Sequence, residues 1–282
     1  MSKDLKIGFS NKKHIFKRKT DINHSIFQQE LLEERLNEIK ILKIQNLTDL
    51  IKIKHITDSF TNEFMRNDSY DFKTSYLFED NDKIKIKTIS GEGRYKKFET
   101  KFGLMITVNH GEWYGQAYNI TEFGAEQVGI GNFIHVFEYK DKVYALDTLS
   151  HLSRNSSRLH EIRKYADKFE DIIVFESDDL TFGGYFIEDN YLYFYSNSWD
   201  FPGLYNFNLD SNELNLIKKD SYFGIYVESM IKKDNYIYLL GYYNLIKYDL
   251  NIQKIVDIYI TLDYDEFEKY YDGNIDLIID SG

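Results

Sequence analysis

Asn190-Tyr191-Leu192-Tyr193-Phe194-Tyr195 and Asn235-Tyr236-Ile237-Tyr238-Leu239-Leu240 are two copies of one strand pattern, with Tyr193 and Tyr238 45 residues apart. Each continues after a short gap into a second apolar stretch. The first reads Leu204-Tyr205-Asn206-Phe207-Asn208-Leu209-Asp210-Ser211-Asn212-Glu213-Leu214, and the second Leu245-Ile246-Lys247-Tyr248-Asp249-Leu250-Asn251-Ile252-Gln253-Lys254-Ile255. Phe207 and Tyr248 are 41 residues apart. A weaker copy begins at Asp141-Lys142-Val143-Tyr144-Ala145-Leu146, whose Tyr144 precedes Tyr193 by 49 residues. Each copy is a strand, a loop, a second strand and a turn marked by Asp or Asn. In a strand, Tyr205, Phe207 and Leu209 share one face, while Asn206 and Asn208 take the other. An isolated hairpin cannot bury such a face, so the units must stack, and a period of 40–50 residues is that of a β-propeller. Residues 187–260 should therefore form two successive blades.

The rest of the chain agrees in composition. Its 282 residues include 24 Tyr and 21 Phe, but only four Ala: Ala117, Ala125, Ala145 and Ala166. Aromatic and β-branched residues suit a pleated, half-buried surface, and Ala is the best helix former. Lys83-Ile84-Lys85-Ile86-Lys87 alternates strictly, and the run Leu50, Ile51, Ile53 and Ile56 is also strand-like. One helix is expected, at 26–40, where Ile26, Leu31, Leu32, Leu36 and Ile39 approximate one face and Ser25 is placed to cap it. A second, short helix is considered at 158–170, with a strand ending near Ile162 as its alternative. The fold expected is mainly all-β: a stack of antiparallel blades over 66–282, with the helix-containing segment 1–65 packed on it as an incomplete blade.

Cysteine is absent, which removes disulfides, thiolate metal sites and a thiol nucleophile. No run reaches the roughly 20 apolar residues of a membrane-spanning helix. Met1-Ser2-Lys3-Asp4-Leu5-Lys6 lacks a signal-peptide core. These features lead us to expect a cytoplasmic protein. The net charge of −11 speaks against direct nucleic-acid binding, which needs a basic face, and suits a basic protein partner. The charge is uneven. Lys3, Lys6, Lys12, Lys13, Lys17, Arg18 and Lys19 crowd the start, and Asp263, Asp265, Glu266, Glu268, Asp272, Asp276 and Asp280 the end.

Some segments resemble known families. The aromatic-aliphatic-aromatic strand followed by Leu-Tyr-x-Phe/Tyr-x-Leu is similar to kelch-like blades. Gly183-Gly184 precedes the first strand here, whereas the kelch double glycine follows it. Trp199-Asp200 resembles the dipeptide of another propeller repeat, without its Gly-His partner. Asn109-His110-Gly111-Glu112-Trp113-Tyr114-Gly115-Gln116-Ala117-Tyr118, with Leu149-Ser150-His151-Leu152, resembles an uncharacterised bacterial propeller-like family bearing Gly-Glu-Trp and Leu-x-His-Leu segments. Tyr114 replaces a glycine of that pattern. The acidic, cysteine-free profile rich in Tyr, Ile, Asn and Lys also resembles immunity proteins of bacterial toxin systems. That resemblance implies a bacterial protein that inhibits a toxin by binding it.

No local motif carries catalysis. His110 and Glu112 share a strand face but have no third ligand nearby, and packing of Trp113 around a Gly111 turn explains the segment better. Asp147 and His151 have a helical ligand spacing in a stretch, Thr148-Leu149-Ser150, that reads as a turn after a strand. Gly91-Glu92-Gly93 and Gly129-Ile130-Gly131 lack the third glycine of a dinucleotide loop, so turns and bulges account for them. Asp178-Asp179 and Glu188-Asp189 lack a calcium-loop spacing. No cofactor, metal or catalytic set is therefore expected. The function expected is protein binding to a basic partner, concretely toxin neutralisation, with no membrane or direct nucleic-acid role. A scaffold or adaptor role is the first alternative. A carbohydrate-active enzyme with carboxylates distant in sequence is the second. The partner surface is expected at Asp265, Glu266, Glu268, Tyr270 and Asp272, or at Asp178, Asp179, Trp199 and Asp200 with Glu188 and Asp189. In both, acids would steer the encounter and aromatics supply buried area.

Overall fold

The computed structural model describes residues 7–8, 13–17, 22–53, 73–90, 95–109, 115–151, 154–166, 168–219, 226–242 and 244–261. Two short strands, β1 (Ile7–Gly8) and β2 (Lys13–Lys17), precede helix α1 (Ile22–Asn37), β3 (Ile41–Asn46), a single 3-10 turn at Leu47–Asp49 and β4 (Ile51–Ile53). The chain then runs through β5 (Lys73–Asp80), β6 (Lys83–Ser90), β7 (Tyr95–Thr100), β8 (Gly103–Val108), β9 (Gln116–Thr121) and β10 (Gly124–Ile130). Next come β11 (Phe133–Tyr139), β12 (Lys142–His151), β13 (Arg154–Tyr165), β14 (Lys168–Ser177), β15 (Tyr185–Glu188) and β16 (Tyr191–Ser196). The last six are β17 (Gly203–Asn208), β18 (Leu214–Lys219), β19 (Ser229–Lys233), β20 (Tyr236–Leu240), β21 (Asn244–Asp249) and β22 (Lys254–Ile260).

These strands make five antiparallel blades in a propeller ring. Blade 1 is β5-β6-β3, blade 2 is β7 to β10, and blade 3 is β11 to β14 with β1 and β2 both on β14. Blade 4 is β15 to β18, and blade 5 is β19 to β22 with β4 on its outer edge. The repeat read in the sequence is the middle strand pair of blades 4 and 5, and its weaker copy is β12 of blade 3. The expected partial blade does not stand as a separate unit among the described residues. The four described strands that precede residue 54 instead join blades 1, 3 and 5. Because β3 edges blade 1 and β4 edges blade 5, the turn at Leu47–Asp49 ties the first blade to the last. Gln45 Nε2 donates to the Thr261 carbonyl across the same seam, at 3.1 Å.

Blade 4 is sandwiched between blades 3 and 5, so both faces of its middle strand β16 are apolar. In β16, Leu192 and Phe194 pack toward blade 3 with Phe175, Phe182 and Phe207. Tyr195 and Tyr193 of the same strand pack toward blade 5 with Val227, Met230 and Ile246. This two-sided burial produces the run Tyr-Leu-Tyr-Phe-Tyr in place of simple alternation. Phe194 stacks on Tyr205 at 5.5 Å between ring centres and meets Phe182 edge-on at 4.8 Å. Phe207 is 1% exposed, so Phe207→Ala should cost about 3–5 kcal/mol in urea unfolding. Leu216→Ala on outer strand β18, 49% exposed, should stay within about 0.5 kcal/mol. Equal losses at both positions would contradict the sandwich.

Helix α1 differs from its expected bounds. It begins at Ile22, which puts Ser25 inside the helix and rules it out as the cap, and it ends at Asn37. Glu38 and Ile39 still bond back to the helix, and Lys40 is drawn off into blade 1, where the Ser90 amide donates to the Lys40 carbonyl at 2.8 Å and the Lys40 amide to Ser90 Oγ at 2.9 Å. Leu32 and Leu36 of α1 pack on Ile106, Val108 and Ala125, the face of blade 2 turned away from blade 3. The short helix considered at 158–170 is absent. That stretch is β13 and the start of β14, and β13 is an inner member of blade 3, paired on both sides. Thr148-Leu149-Ser150, read as a turn, is likewise strand, because β12 runs on to His151.

Candidate functional site

The up-and-down course of the blades sorts the connections onto two ends. At one end, two-residue turns join the first and second strands of the blades. There Asp82, Asp141, Asp189 and Asp234 take φ of +53° to +57°, which the short Asp side chain tolerates better than most. At the other end lie the longer links, among them residues 178–184, 197–202 and 226–228. Loops carried by a rigid scaffold are where binding groups concentrate. Between β8 and β22, the described connections at this loop-bearing end hold Asp178, Asp179, Asp200 and Glu228 and no lysine or arginine. The tight-turn end mixes acids with Lys101 and Lys140.

Four of the sequence-predicted residues fall at the loop-bearing end. Trp199 is 82% exposed, Asp178 and Asp200 are exposed, and Asp179 is half-buried. Their loops are held by short polar side chains. Ser177 Oγ accepts from the Asp179 and Leu180 amides, each at 3.2 Å. Thr181 Oγ1 accepts from the Asn197 amide at 2.9 Å. Asn197 then grips the Val227 backbone, donating to its carbonyl and accepting from its amide at 2.8 Å each. Gly183 fits because a Cβ there would stand 2.6 Å from the Val227 carbonyl oxygen. Trp199 is thus presented to solvent beside a fixed frame. Glu188 and Asp189 do not join it. Strand β15 carries them to the tight-turn end, where Glu188 pairs with Lys232. Asp265, Glu266, Glu268, Tyr270 and Asp272 lie outside the described residues, as do His110, Glu112 and Trp113.

Asp147 belongs to a buried cluster that its sequence neighbours did not disclose. Its cross-strand partner on β13 is Arg158, and His160 lies on the same face. His160 Nδ1 sits 2.6 Å from Asp171 Oδ1, and its Nε2 is 3.6 Å from Asp147 Oδ2. Arg158 reaches Asp147 Oδ2 at 3.2 Å and Glu176 Oε1 at 2.9 Å. The Asn132 amide donates to Asp147 Oδ1 at 2.7 Å, an approach open because residue 131 is glycine. Burial alone would favour neutral His160, but the carboxylates of Asp171 and Asp147 outweigh it and raise its pKa to about 9. Burial also opposes charge on Asp147, yet His160, Arg158 and the Asn132 amide hold that carboxyl below its ordinary range. His160, Asp147 and Asp171 are each no more than 3% exposed, so these three side chains are enclosed within blade 3. Among the described residues, no group of three or more potential ligands is arranged to hold a metal ion.

A third set of groups stands at the axis. Lys96 is the second residue of β7, His135 the third of β11, Tyr185 opens β15 and Glu228 precedes β19, so four blades contribute, all near the loop-bearing end. Lys96 Nζ donates to the Ile134 carbonyl at 3.1 Å. The His135 ring lies 4.7 Å from Tyr185 and 5.1 Å from Phe98. Tyr226 and Tyr242 stack at 5.5 Å beside Glu228, each still more than two-fifths exposed. Lys96 on blade 2 and Glu228 at the start of blade 5 each feel the other's charge. All four side chains are largely enclosed by protein yet keep some accessible surface. Burial raises Glu228 to about 8 against the opposing pull of Lys96. Burial first, and then Lys96, lower His135 to about 4.

Among the described residues, no helix is long and apolar enough to cross a membrane. No protein-family model matches the chain, and no curated protein is detectably similar to it in sequence. The propeller fold is consistent with a role in binding or scaffolding.

Proposed function

We propose that this is a non-enzymatic binding protein that engages a basic protein partner through the loop-bearing end of the propeller. In its most concrete form the proposal is a cytoplasmic immunity protein that neutralises a bacterial toxin domain. The observation that carries the reading is Trp199, 82% exposed on a loop fixed to its neighbours, with Asp200 and Asp178 at the same end. A large aromatic held out in water contributes nothing to the core, whereas rigid aromatics are the usual anchors of interfaces. The acids around it, and the overall charge of −11, supply the field that would draw in a cationic partner.

The test is kinetic. The partner captured from the host should bind with an association rate that falls steeply as salt rises, because exposed charges are screened over about 10 Å at 0.1 M salt. Asp178→Lys combined with Asp200→Lys should slow association by roughly tenfold and flatten the salt dependence, leaving thermal stability unchanged. An acidic partner, or a rate indifferent to salt and to both substitutions, would overturn the proposal.

A further inference from the structure

Among the described residues, blade 1 has three strands, β5-β6-β3, whereas blades 2 to 5 have four or more, and β3 pairs on one edge only, with β6. An open strand edge is a row of backbone donors and acceptors ready for another chain, and natural edges are commonly shielded by exposed lysine on the edge strand itself. On β3 the exposed positions are apolar instead. Ile41, Leu42 and Ile44 are each at least half exposed, while Lys43 is half-buried. Three further lysines lie one strand in, on β6. Strand alternation puts Ile84 and Ile86 of β6 against Tyr238, Leu240 and Leu245 of blade 5, so Lys83, Lys85 and Lys87 share the face turned away from that blade. The register sets Lys85 between Asn46 and Phe78, and Lys87 between Ile44 and Tyr76. Lys85 Nζ stands 2.7 Å from Asp80 Oδ2, and Lys87 Nζ 5.6 Å from the centre of the Tyr76 ring. Asp80 is the single carboxylate among the described strand residues of this face, against three lysines, in a chain of net charge −11.

We propose that β3 accepts an extended acidic segment of a partner protein, which adds a fourth strand to blade 1 and lays alternate carboxylates toward the row of Lys83, Lys85 and Lys87. Alternate residues of a strand repeat about every 6.8 Å, so acids at every second position of the incoming strand keep step with those lysines. Two strand spacings, about 10 Å, separate that strand from β6, within the combined reach of a lysine and a glutamate side chain. Lys87 would swing from Tyr76 across Ile44, its stem covering the isoleucine. A single-stranded nucleic acid is also anionic, but it has no backbone amides to pair with β3, so the open edge selects a peptide. The edge belongs to other elements than the loops around Trp199, and the proposal does not depend on what those loops bind.

The probe is an amidated hexapeptide alternating Glu and Val, with fluorescein on its N-terminus, titrated with the full chain by polarisation at neutral pH and low salt. Saturable binding is expected. The alternating Lys–Val hexapeptide, and an isomer with its three Glu in one block, should each bind at least about tenfold more weakly. Ile44→Asp, at an exposed position and so safe for folding, should weaken the probe at least about tenfold, and Lys83→Gln combined with Lys87→Gln should do the same. Amide hydrogen exchange in the complex should slow at 41–46 and stay unchanged at 178–184 and 197–202. The proposal is overturned if the Glu–Val probe does not bind, if the Lys–Val peptide or a short oligothymidylate binds as tightly, if exchange at 41–46 is unaffected, or if both variants bind the probe like the parent protein. A chain that dimerises in sedimentation and loses the probe as it does so would assign the edge to a second copy, and would overturn it equally.

Discussion

His160→Ala is expected to destabilise the protein by about 3–5 kcal/mol, the usual cost of removing one partner from a buried ion pair. The substitution would leave Asp171, 0% exposed, and Asp147 close together without the imidazolium between them. Asp147 would keep Arg158, but Asp171 would lose the one close partner it has on β13. The effect has a pH signature. The folded pKa of about 9 lies above the ordinary 6.5, so the folded state holds the proton more tightly than the unfolded chain. The stabilisation is therefore fully present below about 6.5 and is lost as pH rises through about 9. Asp147 acts in the opposite sense: its depressed pKa gives stability present above the ordinary 3.8 and lost in stronger acid. Urea midpoints measured across alkaline pH check the first claim. The parent protein should weaken toward pH 9, and the gap between parent and His160→Ala should narrow. A constant gap would mean that His160 is buried neutral.

Trp199→Ala is expected to do the reverse of a core substitution. At 82% exposed, the indole supports little of the fold, so the unfolding midpoint should shift by less than about 0.5 kcal/mol. Partner affinity should fall by about 2 kcal/mol or more, roughly thirtyfold, as for a central aromatic anchor. The loss should appear in the dissociation rate, whereas the Asp178 and Asp200 reversals act on association. Measuring both rates for both kinds of variant separates anchoring from steering. Unchanged affinity in Trp199→Ala would remove the anchor from the account.

The blades were legible because two-sided burial writes itself into adjacent residues. Leu192 and Phe194 serve one interface and Tyr193 and Tyr195 the next, so the whole strand is apolar and the pattern returns once per blade. Segment 158–170 misled for a related reason. Arg158 and His160 are polar residues in a strand paired on both sides, and they are tolerated there through partners on other strands: Glu176, Asp147 and Asp171. No local pattern shows those partners. Asp147 was weighed against His151, four residues away, when its true companions lie across a strand hairpin. The axial groups were hidden by distance, yet they left a trace. Lys96, His135, Tyr185 and Glu228 follow one another at 39, 50 and 43 residues, close to the blade period. Aligning the starts of the inner strands, in addition to the aromatic repeat, would have brought them together.

The account's central claim is that the loop-bearing end is the end that binds. Hydrogen exchange of the protein, free and in complex with its partner, tests this most directly, because the two ends are separated by every strand of the propeller. The prediction is slowed exchange in 178–184, 197–202, 226–228 and 241–242, with the turns at 81–82, 140–141, 189–190 and 234–235 unchanged. Protection confined to those turns, with the loops around Trp199 exchanging as in the free protein, would contradict it.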